Sequence, residues 1–201
     1  MSQIRVDKKG ISDLWILFRD GDVDAFSEIY RTSYKMLYSY GISFKITEEQ
    51  VRDIIQDLFV KLYTRPDMVK DPTTLRPFLF TAMRNSCINS IKVNQKHTKI
   101  EKVEDFDVTF SVNEDIIEDK EEQIRVSALV QKILDSLTVR QREIIYLRFL
   151  HQMEYEEISK IMNMTEQAAR NLTYRAMDKI RKENSDYHYC LFFILLTYCC
   201  Y

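Results

Sequence analysis

The sequence predicts an all-α protein made of two small helical domains that are joined by an acidic flexible linker. The chain has 201 residues, of which only 3 are glycine and 3 are proline. That is too few for an all-β fold built on many tight turns. Apolar residues instead recur at intervals of three and four, which is the period of an amphipathic helix. Over residues 98–121 this period is lost and acidic residues accumulate, which predicts an extended or disordered linker.

The first predicted domain spans residues 10–97. Its central stretch carries an apolar stripe at helical spacing, formed by Ala25, Phe26, Ile29, Tyr30, Tyr34, Leu37 and Tyr38. Thr47 and Gln50 have the spacing of a capping box, so a helix is expected to begin after Thr47. The apolar face of that helix is Val51, Ile54, Ile55, Leu58, Phe59 and Leu62. Pro66 and Pro72 bound a predicted loop. A basic helix follows, with expected inner residues Phe78, Leu79, Ala82, Met83, Ile88 and Ile91.

The second predicted domain spans residues 122–183. It opens with a helical stripe formed by Val126, Leu129, Val130, Ile133, Leu134 and Leu137. Thr138 and Gln141 then repeat the capping-box spacing. The helix that they introduce carries Ile144, Ile145, Leu147 and Phe149.

The last two helices of this domain predict a helix-turn-helix. A short helix over 155–162 and a turn at Asn163 lead to Thr165, the expected N-cap of a helix over 166–182. The second helix of such a motif enters the major groove of DNA. Its expected inner face is Ala169, Leu172, Ala176 and Ile180, and its expected outer face is Arg170, Asn171, Tyr174, Arg175 and Asp178. Lys179, Arg181 and Lys182 are placed for phosphates. Arginine suits guanine and asparagine suits adenine, although an ordinary amphipathic helix with a solvated basic face remains the alternative.

A second basic segment lies between Pro72 and Ile100, where no acidic residue occurs although the whole chain has a net charge of −2. Aromatic, amide and basic side chains interleave here: Arg76, Phe78, Phe80, Arg84, Asn85, Asn89 and Lys92. Such a mixture suits single-stranded DNA, because unstacked bases need aromatic surfaces and hydrogen-bond partners. Phenylalanines in the core beside solvated bases are the equally open alternative.

Several classes of protein are disfavoured by the residues present. The 4 cysteines and 3 histidines show no metal-ligand spacing, so we expect no metal site and no cofactor. No paired carboxylates, nucleophile–base set or phosphate loop stands out, so the protein is not expected to be an enzyme. The N-terminus shows no signal-peptide pattern, and a reducing, cytoplasmic location is expected.

The ordered motifs of residues 22–183 resemble the ECF (extracytoplasmic-function) subfamily of sigma-70-type RNA polymerase sigma factors. The segment 53–63 (DIIQDLFVKLY) is similar to the most recognisable helix of sigma region 2, and 78–85 (FLFTAMRN) to the segment that opens the −10 element. The segments 137–144 (LTVRQREI) and 155–159 (YEEIS) resemble sigma region 4. The family commonly has Trp where this chain has Phe78, and often Asp where it has Asn89, which leaves the fine promoter preference open.

The resemblance implies a sigma region 2 bundle over 10–97, a region 4 helix-turn-helix over 122–183, and a function in promoter-specific transcription initiation. It implies −35 contacts at Gln167, Arg170, Asn171, Tyr174, Arg175 and Lys179. It implies −10 contacts at Arg76, Phe78, Arg84, Asn85, Asn89 and Lys92, with inspection of a flipped base by the loop over 64–74. It implies polymerase contacts at Asp53, Gln56, Asp57 and Lys61.

The partners implied by the resemblance are core RNA polymerase, promoter DNA and an anti-sigma factor, which in this family is often membrane-bound. Region 2 would dock on the clamp coiled coil of the β′ subunit, and region 4 would grip the flap of the β subunit. The acidic linker would thread toward the active site, or would serve as a plain tether. Within the apolar tail over 184–201, the stretch 187–201 is too short to span a membrane, since its 15 residues would cover about 22 Å as a helix. We expect it to dock on protein.

Two further classes stay open from the residues alone. An ordinary helix-turn-helix regulator would act as a dimer without polymerase, and such a protein needs no separate polar surface over 53–63. A protein-interaction module is the other alternative, and the outward Arg170 and Arg175 argue against it. A nucleic-acid-modifying enzyme is the least favoured class, for lack of a metal or acid–base site.

Overall fold

The computed structural model describes residues 8–96, 106 and 120–183, and every regular element within those residues is helical. The chain divides into two compact units, Met1–Asp105 and Phe106–Tyr201. The all-α prediction is therefore confirmed for the described residues. Most of the predicted linker and the whole apolar tail lie outside them.

Within residues 8–96, the N-terminal unit contains four α-helices: α1 (Lys8–Arg19), α2 (Val23–Ile42), α3 (Glu48–Thr64) and α4 (Leu75–Lys96). Two short 3₁₀ turns, Pro66–Met68 and Pro72–Thr74, connect α3 to α4. Helix α2 begins after Asp22, whose side chain accepts hydrogen bonds from the amides of Asp24 and Ala25. Helix α3 begins at the predicted capping box, where the Thr47 side chain accepts from the amide of Gln50 at 3.2 Å.

The core of this unit is aromatic and aliphatic, and it includes the fully buried Trp15, Ile29, Leu37, Tyr40, Val51, Ile55, Leu75 and Met83. Gly41 of α2 lies close to side chains of α3 and α4. A Cβ atom at Gly41 would lie 2.2 Å from Cε of Met83 and 2.8 Å from Cγ1 of Val51. A larger residue at this position would therefore force the Met83 and Val51 side chains to move.

Helix α1 holds the connection between α3 and α4 through three side chains. The Trp15 indole donates to the carbonyl oxygen of Val69 at 3.1 Å, and Arg19 donates to that of Lys70 at 3.1 Å. Ser12 donates to the carbonyl oxygen of Pro72 at 3.2 Å. Side chains of α1 thereby supply hydrogen-bond donors to backbone carbonyl oxygens of this irregular connection.

The C-terminal unit contains α5 (Lys120–Ser136), α6 (Val139–Ile145), a π-helical turn at Tyr146–Leu150, α7 (Tyr155–Ile161) and α8 (Glu166–Glu183). The second predicted capping box is confirmed, since the Thr138 side chain accepts from the amide of Gln141 at 3.3 Å. Helix α5 begins at Lys120, two residues before the predicted domain boundary. The helix predicted to begin after Thr138 changes to π-helical geometry after Ile145.

Phe106 is the only described residue between α4 and α5, and it is 1% exposed. Its ring lies edge-on to Tyr146, with 5.7 Å between the centroids. Tyr146 in turn lies 4.9 Å from the His151 ring. Phe106, which lies in the segment predicted to be an extended or disordered linker, is therefore packed in the C-terminal unit, because a large apolar ring gains more from burial than from solvent.

Candidate nucleic-acid interface

The turn between α7 and α8 sets the direction of the last helix. The amide of Met164 donates to the carbonyl oxygen of Ser159 at 3.0 Å, and Asn163 has a φ of 50°. Asparagine adopts this left-handed geometry more readily than most residues. Thr165 then accepts from the amide of Ala168 at 3.2 Å, which confirms it as the N-cap of α8.

Helix α8 buries the small and apolar face that the sequence predicted. Ala169, Ala176 and Ile180 are fully buried, while Leu172 is half-buried. Thr173, which was not assigned to this face, is also buried and donates to the carbonyl oxygen of Ala169 at 3.0 Å. Alanine permits close packing of α8 on α6 and α7, so the side chains on the opposite face of α8 point outward.

The outward face of α8 presents five of the six predicted −35 residues to solvent: Gln167, Arg170, Asn171, Tyr174 and Arg175. Tyr174 is 72% exposed, so its ring is accessible to a partner. Gln167 donates to the side-chain oxygen of Asn171 at 3.1 Å. Farther along, a hydrogen bond from Lys182 to Asp178 holds the pKa of Lys182 above its ordinary value, so its ammonium stays charged.

Lys179, the sixth predicted −35 residue, has a different role in the structure. Its ammonium donates to the backbone carbonyl oxygen of Ser136, the last residue of α5. A cation at this position interacts favourably with the negative end of the helix dipole and satisfies a carbonyl with no helical partner. Lys179 therefore joins α8 to α5, and this contact does not support its predicted placement for a phosphate.

Arg170 belongs to a cluster that the sequence analysis did not predict. Its guanidinium carbon lies 4.6 Å from the centroid of the Tyr155 ring, and it pairs with the carboxylate of Glu166. The guanidinium carbon of Arg148 lies 4.9 Å from the same centroid. Arg148 and Tyr155 carry no local sequence signal for this role, because the contacts join residues from three separate elements.

Helix α4 presents part of the predicted −10 surface. Asn85, Asn89 and Lys92 are exposed at intervals of four and three residues, so they share one face of the helix. Arg76 and Phe78, near the start of α4, are half-buried. An amide–basic surface with one partly exposed ring is therefore available on this helix.

Two residues of the basic segment on α4 lie inside the N-terminal unit. Arg84 is 7% exposed, and Phe80 is 1% exposed with its ring centroid 5.1 Å from that of Tyr40. For Phe80, two alternatives were open, and the structure favours the core phenylalanine. Arg84 was predicted as a −10 contact, and its burial does not support that role, because α4 packs against α1, α2 and α3.

Helix α3 exposes a polar stripe that contains every predicted polymerase residue: Asp53, Gln56, Asp57 and Lys61. Phe59 and Leu62 are buried, as expected for core residues. Beside the stripe lies an open apolar groove of about 360 Å³, lined by Phe26, Tyr30, Gln56, Phe59, Val60, Tyr63 and Thr64. Charged groups beside an uncovered apolar groove are typical of a protein-binding surface.

Helix α1 contributes residues that the sequence analysis missed. Ser12, Trp15 and Arg19 all donate to the connection that lies within residues 64–74. A signal for them was present, since their spacing of three and four residues places them on one helical face.

Two structural searches of the described residues found nothing. No group of histidine, cysteine, aspartate and glutamate side chains there has the arrangement of a metal site. None of the described helices combines the length and the apolar character needed to cross a membrane.

Comparison with protein families matched both helical units. The family described as "Sigma-70 region 2" matches residues 29–97, and the family described as "Sigma-70, region 4" matches residues 127–180. The two matches together cover more than half of the chain, and each falls on one unit.

Individual relatives agree with the family matches. The chain is 24% identical over 154 residues to the ECF RNA polymerase sigma factor SigM of Bacillus subtilis (strain 168), covering 77% of this chain and 91% of SigM. It is 26% identical over 163 residues to the RNA polymerase sigma-E factor of Streptomyces avermitilis, covering 81% and 87%. The structure of CnrH in complex with the cytosolic domain of CnrY has a TM-score of 0.57 at 20% identity, covering 86% of this chain and 96% of that one. That likeness concerns the fold.

Proposed function

This chain belongs to the ECF subfamily of sigma-70-type RNA polymerase sigma factors and acts in promoter-specific transcription initiation, and we propose how its parts divide that work. Residues 10–97 form region 2, which binds core polymerase and the −10 element. Residues 122–183 form region 4, which binds the −35 element. Residues 98–121 are the acidic linker, and 184–201 are an apolar tail.

The exposed face of α8 is the observation that carries the −35 assignment. The small residues Ala169 and Ala176 are fully buried, so the N-terminal half of α8 projects Arg170 and Asn171 outward together. That half of the recognition helix is the part that meets base edges in a helix-turn-helix. We assign base contacts to Gln167, Arg170, Asn171, Tyr174 and Arg175. Lys179 is left out of the set, because its ammonium is bonded inside the unit.

The −10 contacts fall on the exposed surface of α4. Asn85, Asn89 and Lys92 supply hydrogen-bond donors and a cation on one face, and Arg76 and Phe78 lie at the start of the same helix. This combination suits bases exposed by strand opening. The connection between α3 and α4, which Trp15 and its neighbours hold, is the proposed place where a flipped base is inspected.

Helix α3 is the proposed docking surface for the clamp coiled coil of the polymerase β′ subunit. Asp53, Gln56, Asp57 and Lys61 would supply the polar contacts, and the adjoining apolar groove would receive a side chain of the partner. Region 4 would contact the flap of the β subunit. Residues from two polymerase subunits would thus hold both units of the factor at one promoter.

The remaining partners follow from the family. CnrH forms a complex with the cytosolic domain of CnrY, and by analogy we propose that an anti-sigma factor, which in this family is often membrane-bound, restrains this chain. Sigma factors generally act as non-enzymatic regulators, so we propose no catalytic activity for the chain alone. A partner of RNA polymerase would act in the cytoplasm.

Run-off transcription tests the proposed division of work. Core polymerase is combined with the full chain and a promoter library in which the −35 and −10 elements are randomised separately. Initiation should depend on the chain and on both elements. Arg170→Ala should change the selected −35 sequence alone, and Asn89→Ala the selected −10 sequence alone.

Two outcomes would contradict the proposal. If each substitution changed the preference at the other element, the assignment of the two units would be reversed. If the chain bound duplex DNA tightly as a dimer and initiated no transcription, a plain helix-turn-helix regulator would explain the structure better.

A further inference from the structure

Two guanidinium groups lie over one aromatic ring at the start of the helix-turn-helix, as described for Arg148, Tyr155 and Arg170. We propose that Tyr155 is a positioning residue that presents Arg170 to a guanine of the −35 element, and that Arg148 fixes the Tyr155 ring. This inference rests on the proposed function of α8 as the −35 recognition helix. It adds a specificity role for α7, which makes no base contact itself.

The contact with Tyr155 leaves Arg170 able to recognise a base. Cation–π attraction acts between the guanidinium and the face of the ring. The five N–H donors of an arginine lie in the plane of the guanidinium, where they match acceptors at a base edge. Arg170 can therefore stay on the ring while two of its donors meet O6 and N7 of guanine. An arginine held in this way loses less side-chain entropy on binding than one that is free to rotate.

Arg148 forms the fixed side of the arrangement. Its Nη1 donates to the carbonyl oxygen of Met153 at 2.6 Å and to the carboxylate of Glu154 at 3.2 Å. Its side chain is only 28% exposed, against 52% for Arg170. The more buried guanidinium is therefore anchored at the backbone, and the more exposed one faces solvent, where DNA would approach.

The charges around Tyr155 are balanced. Glu154 pairs with Arg148, and Glu166 pairs with Arg170, so each cation on the ring has its own carboxylate. This pairing offsets the repulsion between two guanidinium groups near one ring.

The two partners of Arg170 differ in what they would do when DNA binds. Glu166 accepts a hydrogen bond from one terminal nitrogen of Arg170, so it would compete with a base for that donor. Their exposed i,i+4 pair is weak and is screened by salt. Tyr155 contacts Arg170 through its aromatic ring rather than through a carboxylate, so it offers no anionic acceptor in competition with the base. Tyr155 is thus the partner that can hold Arg170 before and after recognition.

The test uses holoenzyme assembled from core polymerase and the full chain, with a promoter library randomised only at the −35 element. The wild-type holoenzyme should prefer guanine over other bases at one −35 position by about 5- to 150-fold, as expected for a bidentate contact. Arg170→Ala should abolish the preference at that position and so identify it. Tyr155→Leu should lower that preference by about two- to five-fold, the strength of one exposed cation–π contact. Tyr155→Phe should retain it, because phenylalanine keeps the ring. Glu166→Gln, the matched control on the same arginine, should also retain it.

Base preference is the decisive measurement, because a merely structural role for Tyr155 would lower initiation on every −35 sequence alike. The inference is overturned if Tyr155→Leu leaves the guanine preference intact, or if Tyr155→Leu and Tyr155→Phe lower it equally. It is also overturned if Arg170→Ala changes no base preference while the wild-type holoenzyme still selects a −35 sequence. A wild-type holoenzyme with no −35 selection at all would instead refute the assignment of α8, and the positioning role with it.

Discussion

At the scale of single residues, the same side-chain type takes different roles according to where its helix places it. Lys92 is exposed on α4, whereas Lys179 on α8 donates to the end of α5. Arg84 is buried, whereas Arg170 and Arg175 face solvent. A charge therefore indicates a DNA contact only after the packing of its helix is known.

Phe106 gives a prediction at this scale. Phe106→Ala should lower the free energy of unfolding of the C-terminal unit by about 3–5 kcal/mol, the usual cost of removing a buried phenylalanine. Phe106→Leu should lose much less, because it keeps most of the buried apolar volume. Denaturant unfolding followed by far-ultraviolet circular dichroism measures the change.

Trp15 supplies the control for this measurement. It is the only tryptophan of the chain and is buried in the N-terminal unit, so its fluorescence reports the unfolding of that unit alone. The Trp15 transition should not move in Phe106→Ala. A shift of both transitions, or of neither, would contradict the packing of Phe106 within the C-terminal unit.

At the scale of elements, the helix termini follow from local chemistry, whereas the exposed faces follow from packing. Thr47, Thr138 and Thr165 each cap the helix predicted to follow them, because a cap needs only residues three positions apart. The change to π-helical geometry after Ile145 carries no comparable signal. It depends on what Tyr146 and Leu147 pack against, and both are buried.

Helix α3 gives a prediction at the element scale. The double substitution Asp53→Ala and Asp57→Ala should weaken binding to core polymerase by about 1.5–3 kcal/mol for each lost hydrogen bond to a charged group. Both residues are exposed, so the unfolding transition should stay unchanged. Fluorescence anisotropy of the labelled chain with core polymerase measures the affinity.

Glu48→Ala is the matched control, since Glu48 is an exposed acid on the opposite side of the same helix. Its affinity for polymerase should match that of the wild type. Equal losses for Glu48→Ala and the double variant would show a general effect of acidic charge rather than a docking surface on α3.

At the scale of the whole molecule, the net charge of −2 hides the distribution that matters. Basic residues concentrate on α4 and α8, and the acidic residues between them fall mostly outside the described residues. The attraction of a protein surface for DNA depends on the electrostatic potential of the charges within a Debye length, which is about 8–10 Å at ordinary ionic strength. The sum over the chain therefore predicts little about its partners.

Salt dependence tests this view. With about five phosphates neutralised, the affinity of the full chain for duplex −35 DNA should fall roughly 500-fold between 50 and 200 mM salt, a logarithmic slope near −4.5. If the exposed Arg181 neutralises one of these phosphates, Arg181→Ala should make the slope less negative by about 0.9. The base preference should stay unchanged.

Lys179→Met removes the same charge from the same helix and is the matched control. Because the ammonium of wild-type Lys179 is bonded to the end of α5, its loss should leave the salt-dependence slope near the wild-type value. The same loss should make the C-terminal unit less stable. If the slope fell equally in both variants, Lys179 would be a phosphate contact after all.

The sequence by itself determined the helical class, the two capping boxes, the N-cap of α8 and the family. Each of these depends on residues close together in the chain or on ordered motifs. Tertiary structure alone decided that Arg84 and Phe80 are buried, that Lys179 joins α8 to α5, that Phe106 packs on Tyr146, and that Tyr155 lies beneath Arg170. Those outcomes depend on contacts between elements. The free energy of such a contact depends on which residue tertiary packing places beside it, and a local sequence pattern does not specify that residue.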